Sequence, residues 1–334
     1  MNTTNLGVIG TGSWGSALAH IMAEKELSVT LWARREEVAS EINTTHKNTA
    51  HLGDIPLNRT IKATTDLQKA VTNHDILLMV TPAQAMRSIL ELMKPYIHGN
   101  HTLVLCSKGI EQNTLMMMSE IVEEIIPATQ TAILSGPNFA KEIAKGKPAA
   151  TTLASKSQET AETLQKAIAS PFFRPYATTD IIGTQIAGAL KNVIAIACGI
   201  AKGLDMGESA RASLVTRGLA EISRLGIAMG AKPDTFLGLS GVGDMMLTCS
   251  SEQSRNFSTG LALAQGKTLQ DIMKHSNSVA EGVHTAKSTV SLAKKYNVDM
   301  PICTNIDACI NKNLSIENVL ESIINRPLGQ ETRS

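Results

Sequence analysis

The segment Ile181 to Leu204, IIGTQIAGALKNVIAIACGIAKGL, constrains this chain most. It reads as one long helix with apolar or small residues on nearly every face, and such a helix has to be buried on all sides. Its middle carries one cation, Lys191, followed by Asn192. A lysine held away from water without partners is expensive and responds by releasing its proton. The segment alone leaves two readings open. Either Lys191 snorkels, its stem buried and its ammonium in solvent, or it is aimed at a substrate with which it exchanges a proton. The longest apolar run near it, Val193 to Ala201, is too short to span a bilayer.

Upstream, the pattern alternates. Leu6–Gly10, Ser28–Trp32, Asp75–Val80, Thr102–Cys106, Ala132–Leu134 and Ala150–Ala154 read as short buried strands. Ser16–Leu27 and Thr114–Ile126 have helical spacing, and Asn43–Pro56 reads as loop with a short helix. Strands alternating with helices imply parallel pairing in a doubly wound sheet, with ligands at the carboxyl ends of the strands. From Ile181 the strand signals stop; Ser209–Met229, Phe257–Gln265, Leu269–Lys274, Thr285–Tyr296, Ile302–Lys312 and Ile316–Ile324 read as helices. The expected fold is α/β: a dinucleotide-binding Rossmann domain over 1–180 and an all-helical substrate and catalytic domain over 181–334.

Between the first strand and the first helix lies Gly10-Thr11-Gly12-Ser13-Trp14-Gly15, a G-x-G-x-x-G loop in the context its mechanism requires. Gly10 allows the tight turn, Gly12 lets a pyrophosphate approach the backbone, and Gly15 lets helix and strand pack closely. The helix start then offers free N–H groups and a positive dipole end to the phosphates. The second strand runs into Arg34 and Arg35, two planar forks suited to a 2′-phosphate. NADP(H) is therefore the preferred cofactor, with NAD(H) also admitted. The bland alternative is a solvated pair neutralised by Glu36 and Glu37.

A nicotinamide cofactor implies hydride transfer, which needs a partner group for the proton. None of the eight histidines stands at an expected strand end beside a second chemical group, and His284 fits a surface role best. That leaves Lys108, just past a strand end, and Lys191. Lysines and an arginine around one pocket would depress one lysine pKa and suit an anionic substrate. Asp244, in Gly241-Val242-Gly243-Asp244, either holds an ammonium or caps a helix. Ser254-Arg255-Asn256 either grips a phosphate or caps a helix with a surface arginine.

The motifs GTGSWGSALA, SKGIE, SGPNFAKE, LKNVIAIACGIAKGL, TRGLAEISRLG, GVGDMMLTC and QSRNFSTG, in this order and spacing, resemble the bacterial NAD(P)-dependent glycerol-3-phosphate dehydrogenases over nearly the whole chain. The resemblance implies reversible reduction of dihydroxyacetone phosphate to sn-glycerol 3-phosphate, a precursor of glycerophospholipids. It implies cofactor contacts from Ser13, Trp14, Arg34, Arg35, Lys108, Ala140, Arg255, Val279 and Glu281. The substrate would be held by Lys108, Gly136, Asn138, Lys191, Asp244, Ser254, Arg255 and Asn256, with Lys191 exchanging the proton. Asn138 stands where many relatives have threonine. Two rival readings share the glycine loop: a 2-keto or 3-hydroxy acid reductase of the same superfamily, and a non-catalytic NADP(H)-binding regulator.

The charge balance is 31 basic against 30 acidic residues, which gives no general field for nucleic acid or an anionic membrane. Five cysteines without a C-x-x-C pair read as reduced thiols, neither a disulfide frame nor a metal site. With no secretion signal at the start, the expectation is a soluble cytoplasmic protein without a metal, acting on a small molecule and compatible with a homodimer.

Overall fold

The computed structural model describes residues 5–274, 280–312, 314–318 and 321. Eight strands form one sheet: β1 (Asn5–Ile9), β2 (Ser28–Trp32), β3 (Lys62–Thr64), β4 (Ile76–Met79), β5 (Thr102–Leu105), β6 (Gln130–Ser135), β7 (Ala149–Ser155) and β8 (Phe173–Thr178). Their order is β3-β2-β1-β4-β5-β6-β7-β8. Chain order reverses between β1 and β4, so a ligand crevice opens there, beyond the strand ends.

The central strands are buried on both faces because alternate residues serve different cores. Val8, Leu78 and Val104 face one core, and Ile9, Leu77, Met79, Leu103 and Leu105 face the other. Pairing departs from the all-parallel expectation at one place: β6 and β7 are antiparallel, with Leu134 opposite Leu153. The chain reaches β7 through residues 136–148, whose one regular element is the one-turn helix Ala140–Ile143, so no crossover helix runs back along the sheet as a parallel connection usually has. β3, β8 and the helix Gln158–Ile168 join the elements expected from sequence.

After β8 the core helix Ile181–Gly203 begins, and the described elements that follow are all helical. Asp180 sets its start, accepting from the Gly183 amide at 2.9 Å, the Lys232 amide at 2.8 Å and the Thr235 hydroxyl at 2.6 Å. By length and composition the 23-residue helix suits a membrane, yet 94% of its most apolar window is buried against protein. It is wrapped by Gly207–Ala228, Asp244–Cys249, Arg255–Ala264, Glu281–Lys295 and Pro301–Asn311. One contact is closer than side chains permit. A methyl group at Gly199 would lie 2.0 Å from the Phe257 carbonyl oxygen, and one at Gly260 2.0 Å from that of Ile196. The core helix and Arg255–Ala264 therefore meet backbone to backbone.

Candidate active site

The glycine loop turns at the carboxyl end of β1. Gly10 has φ +122°, and a side chain there would strike the Val80 carbonyl oxygen at 2.7 Å. Gly15 packs on Gly10, whose carbonyl oxygen would stand 2.0 Å from an added methyl. Gly12, by contrast, faces open space where its side chain would be, at the N-cap of the helix Ser13–Ala23. The first amides of that helix are thus free to meet a phosphate. Asn48, fully buried and not singled out from sequence, braces the loop by donating to the Thr11 carbonyl at 2.8 Å and the Ser16 hydroxyl at 2.9 Å. Ser13 donates to the His51 carbonyl at 3.0 Å. Trp14 tilts against Phe173, ring centres 6.3 Å apart.

Arg34 and Arg35 are exposed just past β2. Among the described residues neither forms a salt bridge with Glu36 or Glu37, and Glu36 instead accepts from Thr65 at 2.9 Å. His51 lies within the field of Arg35 and Arg255; its pKa is lowered first by burial and then by those two cations.

On the other side of the crevice the core helix carries Lys191 inward, 7% exposed. Its ammonium donates to Asp244 Oδ1 at 2.5 Å and to the Thr248 hydroxyl at 2.6 Å. Lys108, three residues past β5, donates to the other carboxylate oxygen of Asp244 at 2.5 Å and to the Gly136 carbonyl at 3.1 Å. Two lysines thus share one carboxylate that is 1% exposed. Burial pulls the Lys191 pKa down from 10.5 to about 8; Asp244 opposes the shift and Lys108 adds to it.

Asp244 does not cap its helix, since Gly243 occupies the cap position. It is delivered by a kinked turn, Leu239–Gly243, whose backbone leaves helical geometry at Gly241, where a side chain would meet the Phe236 carbonyl oxygen at 2.1 Å. Thr248 escaped the sequence reading, though its place four residues after Asp244 on a helix was the available signal. Gly188 leaves room beside the lysines: a methyl group there would sit 2.5 Å from Ser135 Oγ and 3.5 Å from the Lys108 stem.

Ser254 caps the helix Arg255–Ala264, accepting from the Phe257 amide at 3.3 Å. Arg255 follows, close enough to Glu281 and His51 to shift both. Asn256 donates to Asn192 Oδ1 at 3.0 Å and accepts from the Gly282 amide at 2.9 Å, so three helices meet at one amide. Glu281 opens the helix Glu281–Lys295 and accepts from the Ala83 amide at 3.3 Å; burial raises its pKa. Val279 lies outside the described residues. Gly136 and Asn138 follow β6, and Asn138 Oδ1 is buried without a hydrogen-bond partner. Ala140 starts the one-turn helix beyond, partly buried against the sheet core.

Among the described residues no histidine is bonded to the lysine–carboxylate cluster. His284 faces Gln112 at 3.4 Å near the surface, and the rings of His98 and His101 meet at a tilt at the opposite edge of the sheet. All five cysteines are free thiols, and among the described residues no cluster of metal-binding side chains occurs. A cavity of about 680 Å³ lies at that opposite edge, lined by groups such as Asp75, Gln130 and Thr160, and contains none of the residues above.

The family model for the NAD-dependent glycerol-3-phosphate dehydrogenase N-terminus matches residues 5–161, and that for the C-terminus matches residues 180–321. A glycerol-3-phosphate dehydrogenase [NAD(P)+] of Parvibaculum lavamentivorans is 47% identical over 98% of both chains. The enzyme of the same name from Rhodospirillum rubrum is 47% identical over 98% of this chain and 94% of its own. The crystal structure of a Coxiella burnetii glycerol-3-phosphate dehydrogenase superposes with TM-score 0.93 at 32% identity, covering 97% of this chain and 99% of that one. A D-mandelate dehydrogenase at 14% identity and TM-score 0.64 shares the fold alone.

Proposed function

The chain belongs to the NAD-dependent glycerol-3-phosphate dehydrogenase family, and from that premise we propose how its residues carry out the reversible reduction of dihydroxyacetone phosphate to sn-glycerol 3-phosphate. The observation that carries the reading is the buried Lys191–Asp244–Lys108 cluster at the mouth of the glycine-loop crevice. Bound NAD(P)H supplies the hydride. Lys191 supplies the proton: its ammonium, lowered to about 8, is acidic enough to protonate a developing alkoxide and basic enough to take the proton back at neutral pH. Asp244 keeps the ammonium aimed and prevents its pKa from falling further. Lys108 adds positive charge where the carbonyl oxygen becomes negative.

The phosphate is assigned to Arg255 and Asn256 at the start of the helix Arg255–Ala264, with Ser254 shaping that start as its cap. Gly136 and Asn138 close the opposite wall, where the unpartnered Asn138 Oδ1 fits a substrate hydroxyl. The open face of Gly12 fits a pyrophosphate, and Ser13, Trp14, Ala140, Arg255, Val279 and Glu281 complete the cofactor contacts. Arg34 and Arg35, exposed and in no ion pair among the described residues, support a preference for NADP(H) over NAD(H). We divide the chain at residue 180, a reading supported by the end of β8 and by a helical core drawn mostly from residues beyond it, with Ile110 and Met117 joining it from the sheet side. A cytoplasmic location fits the free thiols.

Turnover of dihydroxyacetone phosphate beside unphosphorylated dihydroxyacetone tests the phosphate grip; equal kcat/KM for the two removes it. Lys191→Ala abolishes turnover while cofactor affinity survives, and normal turnover in that variant removes the proton relay. The same pair of results separates this reading from a keto-acid reductase and from a non-catalytic regulator.

A further inference from the structure

We propose that Arg87 is a positioning residue: through its forked ion pair with Glu111 it fixes the loop that carries Lys108 and so holds that ammonium on Asp244. The inference rests on the reading of Lys108 as an active-site group given above.

Lys108 must span from the sheet to the helical unit to reach Asp244, and a lysine stem is flexible, with four rotatable carbons between backbone and ammonium. Its ammonium is placed well only if the backbone beneath it is fixed. The loop after β5 is anchored by Ser107, which donates to the Thr81 carbonyl, by Ile110, buried in the helical core, and by Ala83, Gln84 and Arg87 just past Thr81. A side chain on Gly109 would lie 2.5 Å from the Ala83 methyl, so the chain is pressed flat there. Gln84 holds the next turn from both sides, donating to the Ile110 carbonyl at 2.8 Å and accepting from the Gln112 amide at 3.1 Å.

Arg87 completes the clamp. Its Nε and Nη2 each donate to Glu111 at 2.9 Å, one to each carboxylate oxygen, and its Nη1 donates to Glu124 at 2.6 Å. One guanidinium thus joins the helix Met86–Met93, the Lys108 loop and the helix Met118–Ile125. Thr114 donates to the same Glu111 oxygen as Nη2. The loop doubles back as Glu111 donates its amide to Met116 at 3.0 Å and Ile110 pairs with Met117, which puts Leu115 at φ +61°. A leucine in the left-handed region persists only where its surroundings over-determine it. The Glu111 side chain is 11% exposed and Arg87 25%, unlike Lys156–Glu123, where both partners stand in water. A planar bidentate pair of this kind fixes direction as well as distance.

The experiment is a mutant cycle. Arg87→Gln/Glu111→Gln neutralises both partners, so no unpaired charge stays buried. It is made in the full-length protein with native Lys108 and with Lys108→Ala, and kcat/KM for dihydroxyacetone phosphate, KM for NADPH and the thermal midpoint are measured. With Lys108 present, kcat/KM falls about tenfold while KM for NADPH changes by less than about twofold. With Lys108→Ala, the same substitutions cost no more than about a further twofold, because the group they position is gone. An equal loss in both backgrounds, or none in either, overturns the proposal. Where the neutral pair does not fold, Arg87→Lys, which keeps the charge and loses the fork, goes through the same cycle with the same criterion. Unchanged kcat/KM in Lys108→Ala alone overturns instead the underlying reading of Lys108.

Discussion

Asp244→Asn is the sharpest perturbation of the active site. The amide keeps the shape of the side chain and removes the one negative charge that lies 2.5 Å from both lysine ammonium groups. A carboxylate that close is worth about 1–3 pKa units to a cation. Taking two units, or about 2.7 kcal/mol, the Lys191 pKa moves from about 8 in the native protein to about 6. Lysine gives up its proton as pH rises through the pKa, so the protonated form needed for reduction shrinks. At pH 7.5 it drops from roughly three quarters to about 3%, a loss of about 25-fold in kcat/KM from protonation alone. Oxidation of sn-glycerol 3-phosphate needs the neutral amine, so its acid limb lies near pH 8 in the native enzyme and moves to about pH 6 in the variant. The assay is the pH profile of kcat/KM in both directions, with Thr248→Val as a control that keeps the charge while removing the hydroxyl 2.6 Å from Lys191. If the limb of the oxidation profile stays near pH 8 in Asp244→Asn, the titrating group is not a lysine poised by Asp244.

Three further outcomes are expected. Arg34→Asp shifts the ratio of kcat/KM values from NADPH toward NADH by at least about tenfold, because it replaces a phosphate partner with a like charge; an unchanged ratio removes Arg34 from cofactor choice. Gly260→Ala forces the Ile196 carbonyl away from a 2.0 Å contact, and differential scanning calorimetry should show a loss of about 1–3 kcal/mol, with a larger drop in substrate kcat/KM than in cofactor affinity. Asp180→Ala leaves two amides and a hydroxyl without their acceptor at the start of the core helix, and urea unfolding should report about 2–4 kcal/mol lost.

What the sequence made legible follows from the range over which each feature is determined. The glycine loop is a local conformation, written in residues 10 to 15 and recoverable from them. The core helix was visible because an all-apolar stretch has one plausible home, and Lys191 because a cation there is out of place. The strand β3 is three residues long and β8 carries Pro175, so neither presents a run of periodicity to read. The antiparallel turn of β7 was invisible because alternation marks a strand without fixing its direction. The pairing of Lys191 with Asp244 joins residues 53 apart in the chain, and only the fold brings them together. For the same reason the local sequence admits both capping and holding an ammonium for Asp244, and both gripping a phosphate and capping for Ser254. In the structure Asp244 accepts from two lysines, and Ser254 caps its helix. Asn48 escaped notice because a buried asparagine bracing another segment has no local signature.

The paired glycines at 199 and 260 make the helices bearing Lys191 and Arg255 a single tool. With peptide groups in direct contact there is no side-chain layer that could shear, so the distance between the proton donor and the phosphate grip is set by main-chain geometry. For an engineer wishing to reshape the pocket for a longer or shorter phosphorylated ketone, the two helices are a cassette to be exchanged together, and side-chain changes on one alone, away from Gly199 and Gly260, will leave the span between reaction centre and anchor as it was.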